Sequence, residues 1–189
     1  ADGVPYSAKF LSDRLDGLYS TSFAATYAYD GIYNDLENNT YVYVPASVDM
    51  PRIYAVSDRL AKVWFAPAGK QRGGSAFVNV VKNPTASEQE TLFLGRLNSL
   101  WRDGGIVTAW GNKTLQIEET VLDRINVRRL MIYLRQLLAD VSVNLLFGQN
   151  DETVRRQFEA QVNPILSNIR DERGILRFAI ELDRSPSAF

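Results

Sequence analysis

The stretch RINVRRLMIYLRQLLADVSVNLLF, Arg124–Phe147, decides the fold. Val127, Leu130 with Met131, Leu134, Leu137 with Leu138, Val141 and Leu145 recur at three- and four-residue steps, the repeat of one helix face. The spacing predicts an amphipathic helix over 124–147 that buries Leu130, Leu134, Leu137 and Val141 and stops at Gly148. A second helix is expected over 151–171. Asp151 and Glu152 open it, since acids suit the positive end of a helix dipole. Its apolar face is Val154, Phe158, Val162, Ile165 and Ile169. Pro164 is expected to kink it or end its first half, because proline lacks the amide hydrogen. Gly174 closes it, and Ile175–Leu182 (ILRFAIEL) reads as a strand.

Working back toward the N-terminus, strands are expected at Phe23–Tyr29, Tyr41–Val44, Ala76–Val81 and Ile106–Trp110. Asp30-Gly31 reads as a turn, and Ile32–Asp35 with Tyr41–Val44 as a hairpin around Glu37-Asn38-Asn39. Asp49 reads as a helix cap with Pro51 in the first turn, followed by an apolar face of Ile53, Val56, Leu60 and Val63 over 50–63. Thr85-Ala86-Ser87-Glu88 is a capping box, which opens a helix over 87–100. Asp103-Gly104-Gly105 is a turn. Strands separated by helices give an α/β class: a single domain over 1–189 with a mixed β-sheet flanked by helices and two long helices near the C-terminus. Residues 1–22 read only as loop and short helix.

Composition removes whole classes of function. The 189 residues contain neither Cys nor His. Disulfides, thiolate zinc sites, cysteine nucleophiles and Ser-His-Asp triads are therefore excluded. The balance of 21 basic against 22 acidic residues, a net charge of −1, is unlike a general nucleic-acid binder. No apolar run approaches the roughly 18 residues of a membrane span. The chain starts at Ala1-Asp2-Gly3 and stops after Ser185-Pro186-Ser187-Ala188-Phe189, and reads as a piece whose true termini lie elsewhere.

Three features bear on chemistry. The loop Ala68–Gly74 (AGKQRGG) has the basic, glycine-rich look of a phosphate cradle, and Lys70 and Arg72 would be its cations. It lacks the spacing of a nucleotide-binding loop and precedes a strand rather than a helix. The carboxylate pairs Glu118/Glu119 and Asp151/Glu152 are the remaining means for a His-free enzyme, although capping accounts for the second. Arg124, Arg128 and Arg129 crowd the first turns of a helix, where positive charge is unfavourable by about 0.3–1 kcal/mol each. Arg135 follows seven residues after Arg128. Either local acids (Glu118, Glu119, Asp123) hold these guanidinium groups, or their planar forks meet carboxylates on another chain.

Trp110-Gly111-Asn112-Lys113-Thr114-Leu115, followed by Asp123-Arg124-Ile125-Asn126-Val127-Arg128-Arg129-Leu130, resembles the C-terminal part of contractile phage tail sheath proteins. That family carries a Trp-Gly-Ala-Arg-Thr-Leu-like stretch and then Tyr-Ile-Asn-Val-Arg-Arg-Leu. Val44-Pro45-Ala46-Ser47, Asp58-Arg59, Val63–Gly69, Leu97-Asn98 and Gly104–Val107 follow its pattern in order, so the likeness covers about residues 23–182. Leu146–Thr153 stands where the family has a Phe-Glu-Pro-Asn-Asp-like turn. Asn112-Lys113 departs from the commoner Ala-Arg, and residues 58–64 lack a Gly before Val-Trp.

The resemblance implies the inner, tube-facing domain of a sheath subunit, with the N- and C-terminal arms and the outer domains absent from this stretch. It implies no catalysis, no cofactor and no metal. It implies helically stacked rings of identical subunits around a tail tube, whose contraction drives the tube through a host envelope. Partners are then other copies, the tail tube protein, and baseplate and tail terminator proteins, with no nucleic acid. The location is the virion tail of a bacteriophage, or a related contractile injection device, with assembly in the host cytoplasm. Arg124, Arg128, Arg129, Arg135, Lys70, Arg72, Asp151 and Glu152 are expected at contacts between subunits. Leu145, Phe147, Gln149 and Asn150 are expected to face the tube. The competing reading is an α/β binding module that contacts phosphate or nucleic acid through Lys70–Gly74.

Overall fold

The computed structural model describes residues 5–15, 20–143, 145 and 151–182. They fall into two compact units, Ala1–Arg129 and Leu130–Phe189. The first unit contains α1 (Ala8–Leu15), β1 (Thr26–Ala28), β2 (Asp30–Asp35), β3 (Thr40–Pro45), α2 (Ala46–Leu60), α3 (Gly69–Arg72), β4 (Asn79–Val80), α4 (Ala86–Leu94), β5 (Leu97–Asp103) and β6 (Ile106–Trp110). A 3-10 turn, Val121–Asp123, leads into α5 (Ile125–Val143), which begins in the first unit and runs into the second; α6 (Glu152–Asp171) follows.

The α/β class holds, but the strands divide between two three-stranded sheets instead of forming one. β1 pairs parallel to β5, and β5 pairs antiparallel to β6; the other sheet has the order β3-β2-β4, all antiparallel. Asp30-Gly31 is not a turn. Asp30 already belongs to β2, and the change of sheet takes place at Tyr29, whose φ is 65°. A non-glycine side chain is rarely found in that left-handed region. Gly104 and Gly105, with φ of 57° and 88°, make the tight turn between β5 and β6 as expected.

Alternation along β5 and β6 sends side chains to two cores. Ala28 and Leu97 pack with Ala8, Tyr29 and Leu92 under α1 and α4, while Leu100 and Val107 pack with Ala46, Phe77 and Val80 on the opposite face. Ala109 joins Met50 and Ile53 of α2.

Helix α2 starts four residues earlier than expected, so Pro51 lies inside it and Asp49 is buried in its first turn rather than capping it. Its core face is Ala46, Met50, Ile53 and Ser57, and Leu60 points to solvent. The capping box at Thr85 and Glu88 is present. The helix it opens stops at Leu94 rather than near 100. Arg96 takes a left-handed conformation (φ 61°), and Leu97–Leu100 become a fully buried central strand. A short strand buried on both faces carries no alternation to read.

In the second unit, Asp151 caps α6 by accepting from the Val154 amide, and the helix runs through Pro164 to Asp171. Its buried residues are Val162, Leu166 and Ile169. The helix closes with Gly174 donating to Ile169 and Arg173 to Arg170, a Schellman pattern in which Arg173 (φ 66°) takes the left-handed position. Of the α5 residues in this unit, only Leu130 is buried; Leu134, Leu137 and Val141 are half-buried. Ile175–Leu182 forms no strand. It has no regular secondary structure, with Phe178, Ile180 and Leu182 half-buried and Leu176 almost fully exposed.

Candidate interaction surface

The two sequence segments that carry the family likeness are knitted together inside the first unit. Lys113 and Arg124 form an isolated antiparallel bridge, Thr114 donates to Asp123, and Ile125 donates to Asn112. Asn98 lies fully buried beneath them: its Nδ2 donates to the Thr26 and Lys113 carbonyls (3.1 and 2.8 Å) and its Oδ1 accepts from the Lys113 amide (2.8 Å). Asn112 donates to Asn126 Oδ1 at 2.6 Å, and Asn126 Nδ2 reaches the Trp64 carbonyl at 3.1 Å. Gly111 has a φ of 121°, and a Cβ there would stand 2.5 Å from Asn98 Oδ1. Glycine at that position is therefore required twice, by backbone conformation and by the close approach of a buried amide.

This network launches α5, and its arginines lock the helix start onto three separate segments. Arg124 pairs with Asp123 (3.1 Å) and lies over the Phe93 ring. Arg128 bonds Ser22 Oγ and stacks 4.1 Å from the Phe23 centroid. Arg129 pairs with Asp58 and stacks on Tyr54 at 4.9 Å. Each guanidinium thus has a polar partner and an aromatic face, the pairing that suits its planar, weakly hydrated ion. Of the three local acids expected to hold them, only Asp123 does so. Asp58 and the three rings come from distant sequence and left no local signal. Arg135, further along α5, is exposed and makes no ion pair or hydrogen bond among the described residues.

Beside Arg129, the Tyr54 and Tyr27 hydroxyls share a hydrogen bond of 2.9 Å. Burial pushes both phenols above their ordinary range, with Tyr54 adding to the effect on Tyr27. They stay neutral and serve as packing groups.

Residues 68–74 do not form the expected loop. Gly69–Arg72 is a single helical turn, with Lys70 paired to Asp103 and lying over Trp101, and Arg72 donating to the Ala66 carbonyl over Phe65. Gly73–Ser75 then runs along β6: Ala109 donates to Gly73 and Ser75 donates to Val107. The buried Asp49 carboxylate anchors the end of this segment, accepting from Arg52 (2.6 and 3.0 Å), Ser75 Oγ (2.6 Å) and the Ala76 amide (2.9 Å). Burial alone would raise its pKa, but these donors outweigh burial and hold it below the usual carboxylate range. Asp151 and Glu152 sit at the α6 N-terminus, Glu152 paired with Arg156 at 3.2 Å. Leu145 is half-buried, whereas Phe147, Gln149 and Asn150 lie outside the described residues. Among the described residues no group of carboxylates could hold a metal ion, and no helix is long and apolar enough to cross a membrane.

The β2–β3 hairpin, whose acids Asp30, Asp35 and Glu37 the sequence offers as partners for arginines of another copy, also carries an apolar surface that sequence reasoning did not single out. Its base is sound: Gly31 presses against the Phe77 ring, and Val44 and Val80 share that core. Its outer half has no core at all. Tyr33, Leu36, Tyr41, Val42 and Tyr43 are 48, 83, 64, 40 and 66% exposed. They occupy both faces of the ribbon, because Tyr33 faces Val42 across the ladder while Tyr43 pairs with Ile32. The signal was present in Tyr41-Val42-Tyr43-Val44, a strand with no polar face. β3 is also an edge, since the order β3-β2-β4 leaves its outer side unpaired among the described residues.

Comparison with known proteins bears directly on this arrangement. The chain is 31% identical to the tail sheath protein of Vibrio phage KVP40 over 187 residues, 96% of this chain and 27% of that protein. Nearly all of this chain is homologous to tail sheath proteins. It is also 29% identical to the tail sheath protein of Enterobacteria phage T4, over 83% of this chain and 23% of that one. The chain therefore spans about a quarter of the curated relatives it matches. No family model matches it. Among solved structures, the sheath complex of the extracellular contractile injection system PVC, in its contracted state, superposes with a TM-score of 0.79 at 20% identity, over 94% of this chain and 49% of that one. The contracted helical sheath of the anti-feeding prophage gives 0.67 at 19% identity, over 92% and 46%. At these identities the structures establish the fold, and the fold is that of contractile sheaths.

Proposed function

We propose that the chain is the inner, tube-facing domain of a contractile tail sheath subunit. It polymerises with identical copies as stacked helical rings around a tail tube, and contraction of the rings drives the tube through the host envelope. The observation that carries the reading is the homology to tail sheath proteins along almost the full chain. The role is structural rather than catalytic, in a virion tail assembled in the host cytoplasm, with tail tube, baseplate and tail terminator proteins as further partners. The outer domains and terminal arms of the subunit belong to the rest of the protein.

The exposed hairpin supports the reading. An isolated two-stranded ribbon is marginal in water, and an open edge carrying aromatic side chains invites a further strand. Ile175–Leu182 has strand chemistry and no ladder partner among the described residues, which suits strand exchange between copies. Arg135 is available for a contact between subunits. For the competing phosphate site, Lys70 and Arg72 are already engaged within the chain.

Electron microscopy of the full-length protein, purified without cofactor, tests the proposal. Rings, tubes or contracted polysheath are expected. A protein that stays monomeric at high concentration, with or without tube protein, would sink it.

A further inference from the structure

Two exposed features of the first unit have complementary chemistry, and neither is fully satisfied within the chain. The first is the tip of the β2–β3 hairpin. Asp35 accepts from the Glu37 and Asn38 amides and from Asn38 Nδ2 (3.1, 3.3 and 2.7 Å), so the turn is rigid. Asn39 completes it with a φ of 49°. The side chains this turn presents are Leu36, 83% exposed, and Glu37, exposed and without an ion pair among the described residues. A pre-ordered tip loses little conformational entropy on binding.

The second is a patch where α4 ends beside the 3-10 turn. Lys113 and Arg124 both lie over the Phe93 ring, at 4.8 and 5.2 Å, and share the single buried carboxylate of Asp123. Two cations on one acid leave a positive charge uncompensated. Lys113 is enclosed, but the Arg124 side chain is 41% exposed and binds Asp123 through Nε, which leaves its two terminal nitrogens for another acceptor. Phe93 is 40% exposed, its neighbour Leu94 is 75%, and Val121, two residues before Asp123, is 73%. An exposed apolar patch beside an open guanidinium fork marks a contact site for an apolar residue next to a carboxylate.

We propose that the Leu36–Glu37 hairpin tip of one copy docks on the Arg124–Phe93 patch of a second copy, Glu37 taking the Arg124 fork and Leu36 covering Phe93 and Leu94. This rests on the reading that the protein self-assembles and assigns a specific contact to it. The contact joins different surfaces of the two copies, so it propagates instead of closing into a dimer. Glu118 and Glu119, which precede the Thr120 cap of the 3-10 turn, add negative charge to the same loop; neutralising them is predicted to tighten the contact.

The test is a charge swap in the full-length protein, read as the critical concentration for assembly by sedimentation and microscopy. Glu37→Arg and Arg124→Glu should each raise it about tenfold or more, because like charges then meet at the contact. The double swap should restore most of the loss. Glu37→Arg alters an exposed side chain with no internal partner, so its fold is secure even if Arg124→Glu weakens the Asp123 site. The absence of cysteine permits a second readout: Leu36→Cys with Leu94→Cys should give an oxidised ladder of linked copies, and neither single variant should. Normal assembly of the single reversals, no rescue by the double swap, or polymers without a ladder would overturn this contact while leaving the sheath reading intact. A wild-type protein that never polymerises would overturn both.

Discussion

The start of α5 and the outer half of the β2–β3 hairpin belong to the same unit and are built from the same materials, aromatic rings and charged side chains, yet they are finished in opposite ways. Around Arg124–Arg129 the side chains are tied inward: Asn98, Asn112 and Asn126 are hydrogen-bonded on several sides, and each of three guanidinium groups has a ring and a polar mate, with Arg128 Nε, Arg129 Nη1 and Asp58 Oδ1 left buried without a hydrogen bond among the described residues. On the hairpin, five large apolar side chains face solvent on both sides of a two-stranded ribbon. The segment with the more distinctive sequence is thus mainly an internal joint, and the plainer one is the open surface. Recognisable motifs mark where side chains fit one another closely. A surface that the chain leaves uncovered carries a fainter mark, because no close internal fit dictates its residues.

The contrast can be broken most forcefully at Gly111. Gly111→Ala combines a disfavoured φ with a collision against Asn98 and should cost about 3 kcal/mol, from strain and overpacking together. The thermal midpoint should fall by several degrees. An unchanged midpoint would mean the joint is looser than its hydrogen bonds suggest.

A smaller loss is expected from Arg129→Ala, which leaves Asp58 and the Tyr54 ring without their cation. The pair is partly exposed, so about 2 kcal/mol is expected, below the cost of breaking a fully buried pair. Denaturant titration of Arg129→Ala, Asp58→Ala and the double variant would give the coupling, and a coupling near zero would show that stacking alone holds the helix start.

Asp49 links the hairpin root to the strand edge beside β6, and its contribution should depend on pH. Its folded pKa is depressed, so the stabilisation is present above the unfolded value near 4 and is lost as pH falls through the folded value. Asp49→Asn should cost about 1–2 kcal/mol at neutral pH, and the difference from wild type should shrink on acidification below about pH 4. A difference that stays constant from neutral pH down to pH 2 would mean the carboxylate's charge is immaterial.

The smallest effect on stability is expected on the hairpin. Tyr41→Ser with Tyr43→Ser removes exposed rings and should change monomer stability by less than about 0.5 kcal/mol per site. Assembly of the same variant should fail or weaken sharply. A large loss of monomer stability would place these rings in the internal core and erase the contrast with α5.

Sequence alone determined the α/β class, the long C-terminal helices, the Thr85–Glu88 capping box, the Asp151 helix start, the Gly104-Gly105 turn and the likeness to contractile sheaths. Each depends on residues a few positions apart, through helical period, caps and turns. It did not determine the division into two sheets, because the switch is made by Tyr29, a residue with no glycine-like signature, in an unusual backbone conformation. It overran α4 into β5, because Leu97–Leu100 are buried on both faces and lack alternation. It read Ile175–Leu182 as a strand, since the residues favour one; a strand also needs a neighbour to bond, and among the described residues none is there. The arginines stand out in the sequence by their unfavourable place at a helix start. Their partners Ser22, Phe23, Tyr54, Asp58 and Phe93 come from three other parts of the chain. Only the tertiary fold brings those groups together, because hydrogen bonding and cation–ring attraction act over a few ångströms of space, whatever the separation along the chain.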